Sequence, residues 1–277
     1  MPAASRPADL LRVRLAVSLA QLVCGVGGIV GSGVQGRGTG VRDYAQGAFR
    51  PEATLVAPAQ AAFSVWGAIY VGLVVYTLWC WVPGSAAADM VARTGLWAAA
   101  SMALNGAWIF VARAGWLVVS VLVMFALTLA IGRVCVELVR HPLQAPVVRA
   151  LVNGAFGLFL GWATVAAVGN VAAALVHHGV PATGRGATVS SLVTLAAVAF
   201  IGTYFAVRLP GLYAVAAGLL WGLAWLVVQR SGGTPESLPV AIAAAATAAV
   251  IAGAFATTAP QRRSEAHSPA RGSSVSA

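Results

Sequence analysis

The feature that most limits how this chain can fold is a series of apolar runs, each about 20 residues long, from one end to the other. A helix of that length crosses the hydrocarbon core of a bilayer. We count eight runs, at about residues 13–34, 60–82, 95–112, 116–139, 150–176, 188–208, 211–229 and 238–257. The sequence therefore predicts an all-α fold: a polytopic transmembrane helical bundle of about eight helices.

Charged residues are too scarce to cover a soluble domain. Of 277 residues, 60% are hydrophobic and 9% are charged, whereas soluble domains carry about a quarter of charged residues. Helix breakers and polar residues separate the runs, as at Pro83-Gly84-Ser85 and Ser231-Gly232-Gly233. The bilayer must therefore act as the solvent of this chain.

The net charge of +10 comes entirely from arginine, which lies mostly between the apolar runs. A nucleic-acid partner would need a basic patch on a polar domain, so we expect none. Basic residues in short loops instead fix membrane orientation. With the N-terminus inside, eleven arginines fall on the cytoplasmic side and six on the other. We expect a multi-pass protein of the cell (inner/plasma) membrane with both termini in the cytoplasm.

Both ends of the chain are polar. Residues 1–12 are expected to form a cytoplasmic segment, and residues 259–277, rich in Ser, Pro and Arg, a disordered tail. The first apolar run follows arginines, as in a signal peptide. Its length and the lack of a clear cleavage site favour a retained membrane helix.

One connection, residues 35–59, is longer than its neighbours. It combines glycines, three arginines, two acidic residues and aromatic side chains. Long loops of mixed polarity above a helical bundle often serve as lids or binding loops. A flexible connector is the alternative interpretation.

The sequence lacks the usual arrangements of catalytic or metal-binding residues. Cys24, Cys80 and Cys135 lie inside apolar runs without paired spacing, so neither a disulfide framework nor a zinc site is indicated. His177 and His178 are adjacent and would point about 100° apart on a helix, which favours an interfacial helix end over haem or metal ligation. We assign no catalytic residue and no metal, and we prefer a non-enzymatic role while leaving activity open.

Aromatic and amide side chains form the pattern that most resembles a binding site. Phe63, Trp66 and Tyr70 are three and four residues apart and share one helix face. An amide in hydrocarbon is costly without a partner, so two asparagines should face the interior and turn nearby tryptophans inward. Packing and interfacial-belt roles are the alternatives. The candidate ligand-binding residues are Phe63, Trp66, Tyr70, Asn105, Trp108, Trp162 and Asn170.

The same motifs resemble the TspO/MBR family, the tryptophan-rich sensory proteins and mitochondrial translocator (peripheral benzodiazepine receptor) proteins. The resemblance rests on the run from Phe63 to Tyr70, on Leu104-Asn105 with Trp108, and on Leu160-Gly161-Trp162 with Asn170. It covers about residues 10–177. The chain departs from the family where Phe49-Arg50-Pro51 replaces the aromatic segment of the first loop and where Val171 replaces a tyrosine.

The resemblance implies a TspO-like five-helix bundle at residues 13–180, followed by three additional helices at 181–258. It also implies an interior pocket for a hydrophobic planar ligand, such as a porphyrin, haem or a sterol-like molecule, in a receptor or regulator. Some members degrade porphyrin with tryptophans at positions that match Trp66 and Trp162. No cofactor is implied beyond such a tetrapyrrole ligand.

Other functions stay open at this point. Eight helices would also suit a small-solute transporter, although no repeat is evident. A structural or accessory membrane subunit is a further alternative, with Gly157-x-x-x-Gly161 and Gly218-x-x-x-Gly222 as helix-packing motifs. The partners we expect are the lipid bilayer and a hydrophobic small molecule, with homodimer formation left open.

Overall fold

The computed structural model describes residues 7–33 and 40–266, and within them the chain forms eight long α-helices and no β-strand. They are α1 Pro7–Ser32, α2 Val65–Trp79, α3 Ser85–Arg113, α4 Leu117–Arg140, α5 Pro146–His177, α6 Gly184–Arg208, α7 Tyr213–Gly232 and α8 Leu238–Ala266. A 3₁₀ turn, Gln60–Ser64, lengthens the apolar span of α2 to 20 residues. Each helix is long and apolar enough to cross a membrane, which confirms the predicted helical bundle.

The helix limits differ from the predicted ones mainly at α3, which begins at Ser85 rather than at about 95. Asp89 and Arg93 make this segment look polar in the sequence, yet Met90 and Val91 beside them are buried. Helix α8 continues to Ala266 and so includes the first part of the predicted tail. Residues 1–6 and 267–277 lie outside the described residues.

The helices are arranged around α5. Helix α1 packs on α3, α3 on α4, and α4 on α5, while α5 also packs on α2 and α7. Helix α8 then joins α7 to α6, and α6 touches α5 only sparsely. In the apolar window of α5, 61% of the residues are buried, against 22% in α1. The central position of α5 explains why it carries the buried rings of Phe156, Phe159 and Trp162.

Glycines allow α5 and α7 to cross at close range. A Cβ atom on Gly161 would lie 2.9 Å from the Cα of Gly218, and one on Gly218 would lie 3.0 Å from the Cα of Gly161. One turn away on each helix, Gly157 faces Ala214 and Gly222 faces Val165. Small residues let helix backbones approach in a membrane and gain dispersion energy. The interface joins α7 to the unit expected at residues 13–180, so a chain cut near residue 180 would uncover it.

We expect Gly161→Ala to destabilise the protein. Its new Cβ would meet the carbonyl oxygen of Val215 and lie 2.8 Å from the Leu219 nitrogen, so the helices would have to separate. Overpacking of this kind costs about 1–3 kcal/mol. The measurement is the midpoint of thermal unfolding of the purified protein in detergent.

Gly169→Ala is the matched control on the same helix, because a Cβ there would meet nothing within 4 Å. Alanine is favoured over glycine in an open helix by up to about 1 kcal/mol, so this variant should be as stable as the wild type or more so. A Gly161→Ala protein with the same unfolding midpoint as the control would contradict close packing at this crossing.

Eight membrane-spanning helices would place both ends of the chain on one side of the membrane. The arginine distribution predicts that this side is the cytoplasm. A periplasm-active reporter fused to the C-terminus should therefore be inactive, whereas a cytoplasm-active reporter fused there should work. The reverse result would refute this orientation.

Candidate functional site

A cavity of about 790 Å³ lies between α1, α2 and α3. Glycines on α1 leave room for it: a Cβ atom on Gly28 would lie 2.7 Å from the ring of Tyr70. The exposed side chains of Ile29 and Val74 lie at its rim, so the cavity opens toward the lipid along the seam between α1 and α2. Its volume is in the range of small-molecule sites. Four aromatic side chains line its wall: Phe63, Trp66, Tyr70 and Trp108.

The rings on the α2 side form one aromatic cluster. Trp66 stacks on Tyr70, with centroids 5.3 Å apart and planes at 23°. Trp162 lies behind the wall, edge-on to Trp66 at 6.4 Å and to Phe63 at 5.4 Å. Phe159 also contacts Trp66 edge-on, at 5.7 Å. Such offset and edge-on contacts are favourable for aromatic pairs and hold the indole of Trp66 in one orientation.

The amide of Asn105 holds the phenol of Tyr70. Its Nδ2 donates to the Tyr70 hydroxyl oxygen at 3.3 Å and to the sulfur of Cys24 at 3.4 Å. The hydroxyl proton of Tyr70 has no acceptor within the described parts of the chain. Tyr70 can therefore offer a donor to a molecule in the cavity.

The amide of Asn170 holds the indole of Trp108. Trp108 Nε1 donates to Asn170 Oδ1 at 3.0 Å, and the same oxygen lies 3.0 Å from the Ser120 hydroxyl. The Nδ2 of Asn170 donates to the carbonyl of Ala166 at 2.9 Å. With its oxygen and nitrogen both engaged, Asn170 positions Trp108 and does not itself face the cavity.

The structure thus divides the candidate residues into two layers. Phe63, Trp66, Tyr70 and Trp108 line the cavity. Asn105, Trp162 and Asn170 are buried behind them and touch the lining residues rather than the open volume. Helical periodicity indicates which face a residue occupies but not its depth, so these layers could not be separated from the sequence. Ligand contact by the lining residues stays a prediction.

Gln21 on α1 lines the cavity, although it belongs to none of the aromatic and amide motifs of the sequence. Its buried Oε1 accepts no hydrogen bond from any described residue, and its side chain borders the cavity. Buried polar atoms normally have partners, so this oxygen is a candidate acceptor for a ligand. In the sequence, Gln21 is the single amide side chain in the mostly apolar run at residues 13–34.

Residues 40–59 pack over the end of the bundle at which α1 stops. The hydroxyl of the buried Tyr44 donates to the carbonyl of Val30 at 3.0 Å. Phe49 lies edge-on to Trp108 at 5.7 Å, which places the loop against the cavity wall. Val41 and Asp43 also border the cavity. This loop has the position of a lid.

Arg230, at the end of α7, holds this loop from the other side. Its side chain is fully buried. The guanidinium donates to the carbonyls of Pro51 and Pro235, both at 2.7 Å, and reaches that of Ala57 at 3.5 Å. Glu52 lies close enough to interact electrostatically with it. From the sequence, Arg230 is interpreted as one of the six arginines on the non-cytoplasmic side. Its contact with the lid depends on tertiary structure and could not be predicted.

Two further contacts join α7 to the lid and to the turn that begins α2. The amide of Ala59 donates to the carbonyl of Trp225 at 3.2 Å, and the indole of Trp221 donates to the carbonyl of Ala62 at 2.8 Å. Helix α7 therefore fixes both the lid and the turn that begins α2.

A family model described as TSPO-like protein matches residues 41–257. The chain belongs to this family. The match begins in the lid and runs into α8, so it includes the three helices that the motifs had left outside the resemblance at residues 10–177. Comparisons with curated proteins and with solved structures gave no match.

The cavity of this TSPO-like protein offers stacking and hydrogen bonding rather than acid–base chemistry. Among the described residues on its wall, the titratable side chains are Tyr70 and Asp43, and Asp43 forms an ion pair with Arg50 at 2.7 Å. His, Cys, Asp and Glu side chains in residues 7–33 and 40–266 form no group able to hold a metal ion.

We expect Arg230→Leu to loosen the lid of this TSPO-like protein. The variant removes the donors to Pro51 and Ala57, and hydrogen bonds from charged groups contribute about 1.5–3 kcal/mol each. Amide hydrogen exchange in residues 48–59 should become at least about tenfold faster. Arg149→Leu, at an exposed position near the start of α5, should leave this exchange unchanged. Equal exchange in both variants would show that other contacts hold the loop.

Proposed function

We propose that this TSPO-like membrane protein binds a planar, hydrophobic ligand of the porphyrin, haem or sterol-like class in the cavity between α1, α2 and α3, as a receptor or regulator. The observation that carries the proposal is the stacked pair of Trp66 and Tyr70 in the wall of a 790 Å³ cavity. Membership of the TSPO-like family supports it.

The chemistry of the wall favours a flat ligand with one polar edge. The stacked rings of Trp66 and Tyr70 offer an aromatic surface to the cavity, and each aromatic pairing contributes about 0.5–1.5 kcal/mol beyond the burial of area. Tyr70 provides a hydrogen-bond donor, and Gln21 provides an acceptor. Few polar groups among many apolar ones are typical of sites that select and orient a small molecule.

The lid supports a receptor role. A ligand that contacts Trp108 would press on the ring that Phe49 touches, and Phe49 belongs to the segment that Arg230 ties to α7. Occupancy of the cavity could therefore change how firmly residues 40–59 pack. A ligand shifts such an equilibrium only as far as it binds the two lid states differently.

The first experiment titrates the purified full chain with protoporphyrin and with haem and follows the quenching of tryptophan fluorescence. Trp66→Ala should weaken binding about two- to tenfold, because it removes one stacking partner. Trp116→Ala is the control, since this indole is 63% exposed and lies away from the cavity lining. Nine tryptophans leave enough signal in either variant.

Equal affinity of the wild type and Trp66→Ala would refute the assignment of this wall. Competition by a sterol would show that the same cavity accepts that class. A wild-type protein that binds neither tetrapyrrole nor sterol would contradict the proposal and favour the transporter or structural-subunit alternatives.

A further inference from the structure

A second cavity, of about 360 Å³, lies between α5 and α6 and shares no lining residue with the first. It exists because α6 packs mainly on α8 and touches α5 only sparsely. Its walls come from α4, α5 and α6, and residues 54–56 of the lid close one end. Exposed side chains of Phe125, Leu175 and Val180 border it, so it is a groove that opens sideways to the hydrocarbon of the bilayer.

The groove is long and apolar. On α5 its lining runs from Thr164 to Val176, which corresponds to about 18 Å along the helix. One leaflet contributes about half of the 30 Å hydrocarbon core of a bilayer. The hydroxyls of Thr128, Thr164 and Ser191 donate to carbonyls one turn earlier in their own helices and are therefore engaged. The walls suit an extended hydrocarbon chain that reaches through one leaflet.

One polar atom in the groove has no partner. Thr54 is 4% exposed, and its Oγ1 makes no hydrogen bond with the described residues. A buried hydroxyl that is left unsatisfied costs about 1–3 kcal/mol. Thr54 lies at the end of the groove closed by the lid, where a membrane lipid carries the ester carbonyls that join its chains to its headgroup.

Mixed charges lie just beyond that end. A polar pocket of about 540 Å³ adjoins the groove, with which it shares Val176, and is bordered by Arg50, Glu52 and His177. Arg50 also forms an ion pair with Asp43, which borders the first cavity. Cationic and anionic groups side by side complement a phospholipid headgroup, which carries a phosphate and often an ammonium.

We propose that the groove between α5 and α6 binds one phospholipid of the bilayer. One acyl chain fills the groove, its ester carbonyl accepts a hydrogen bond from Thr54, and its headgroup lies over the polar pocket. The site is separate from the cavity of the proposed function, and the lipid reaches it without leaving the membrane.

The test is native mass spectrometry of the full chain, taken from vesicles of phosphatidylethanolamine and phosphatidylglycerol. The wild type should retain a phospholipid. Ala172→Phe, which places a ring in the groove, should lower the retained fraction several-fold. Thr54→Val keeps the side-chain shape but removes the donor, and should lower it about two- to tenfold. Val193→Phe is the control, at a position of α6 that is 65% exposed and outside the groove lining.

The proposal would be overturned by a wild type that retains no phospholipid, by an Ala172→Phe protein that retains as much as the wild type, or by an equal loss in the control. A retained free fatty acid in place of a phospholipid would also overturn it. Porphyrin titration of each variant separates the two sites, because a folded groove variant should keep the tetrapyrrole affinity of the wild type. If Ala172→Phe fails to fold, the phospholipid retained by the milder Thr54→Val variant tests the proposal, and retention equal to that of the wild type would overturn it.

Discussion

Gly161 of α5 and Gly218 of α7 meet backbone to backbone, and both parts of the candidate site depend on that contact. Helix α5 carries Trp162, which packs behind Trp66, and Asn170, which holds Trp108. Helix α7 carries Arg230, which holds the lid. Hydrophobic burial does not drive helices together in lipid, so close packing must do so. The contact between these glycines therefore fixes the position of the lid relative to the cavity wall.

The buried polar groups orient aromatic rings. Asn105 donates to the phenol of Tyr70, and Asn170 accepts from the indole of Trp108. Interhelical hydrogen bonds in membranes contribute only about 0.6 kcal/mol on average, so their main effect here is directional. Each ring would otherwise rotate about its side-chain bonds and lose the arrangement that gives the wall its shape. The buried residues behind the wall thus hold the lining rings in place within the protein itself.

The sequence predicted the eight spans well because hydrocarbon requires long apolar helices. Polar residues interrupt these runs only briefly, so each run could be recognised. The sequence patterns missed the early start of α3, because Asp89 and Arg93 make a segment with buried apolar residues look polar. They identified the aromatic residues but could not separate Trp66 on the wall from Trp162 behind it. The contacts of Arg230 could not be predicted either. Its acceptors are the backbone carbonyls of Pro51 and Ala57, which are distant in sequence, and every residue carries such a carbonyl.

The opening between α1 and α2 affects the concentration scale on which a dissociation constant for the cavity should be measured. Under the proposed function, a ligand that enters through this opening would equilibrate with molecules dissolved in the bilayer. The effective dose is then the mole fraction of ligand in the membrane, which rises with partitioning and falls as more lipid is added. Two preparations with the same aqueous concentration but different lipid-to-protein ratios would give different apparent dissociation constants for an unchanged site.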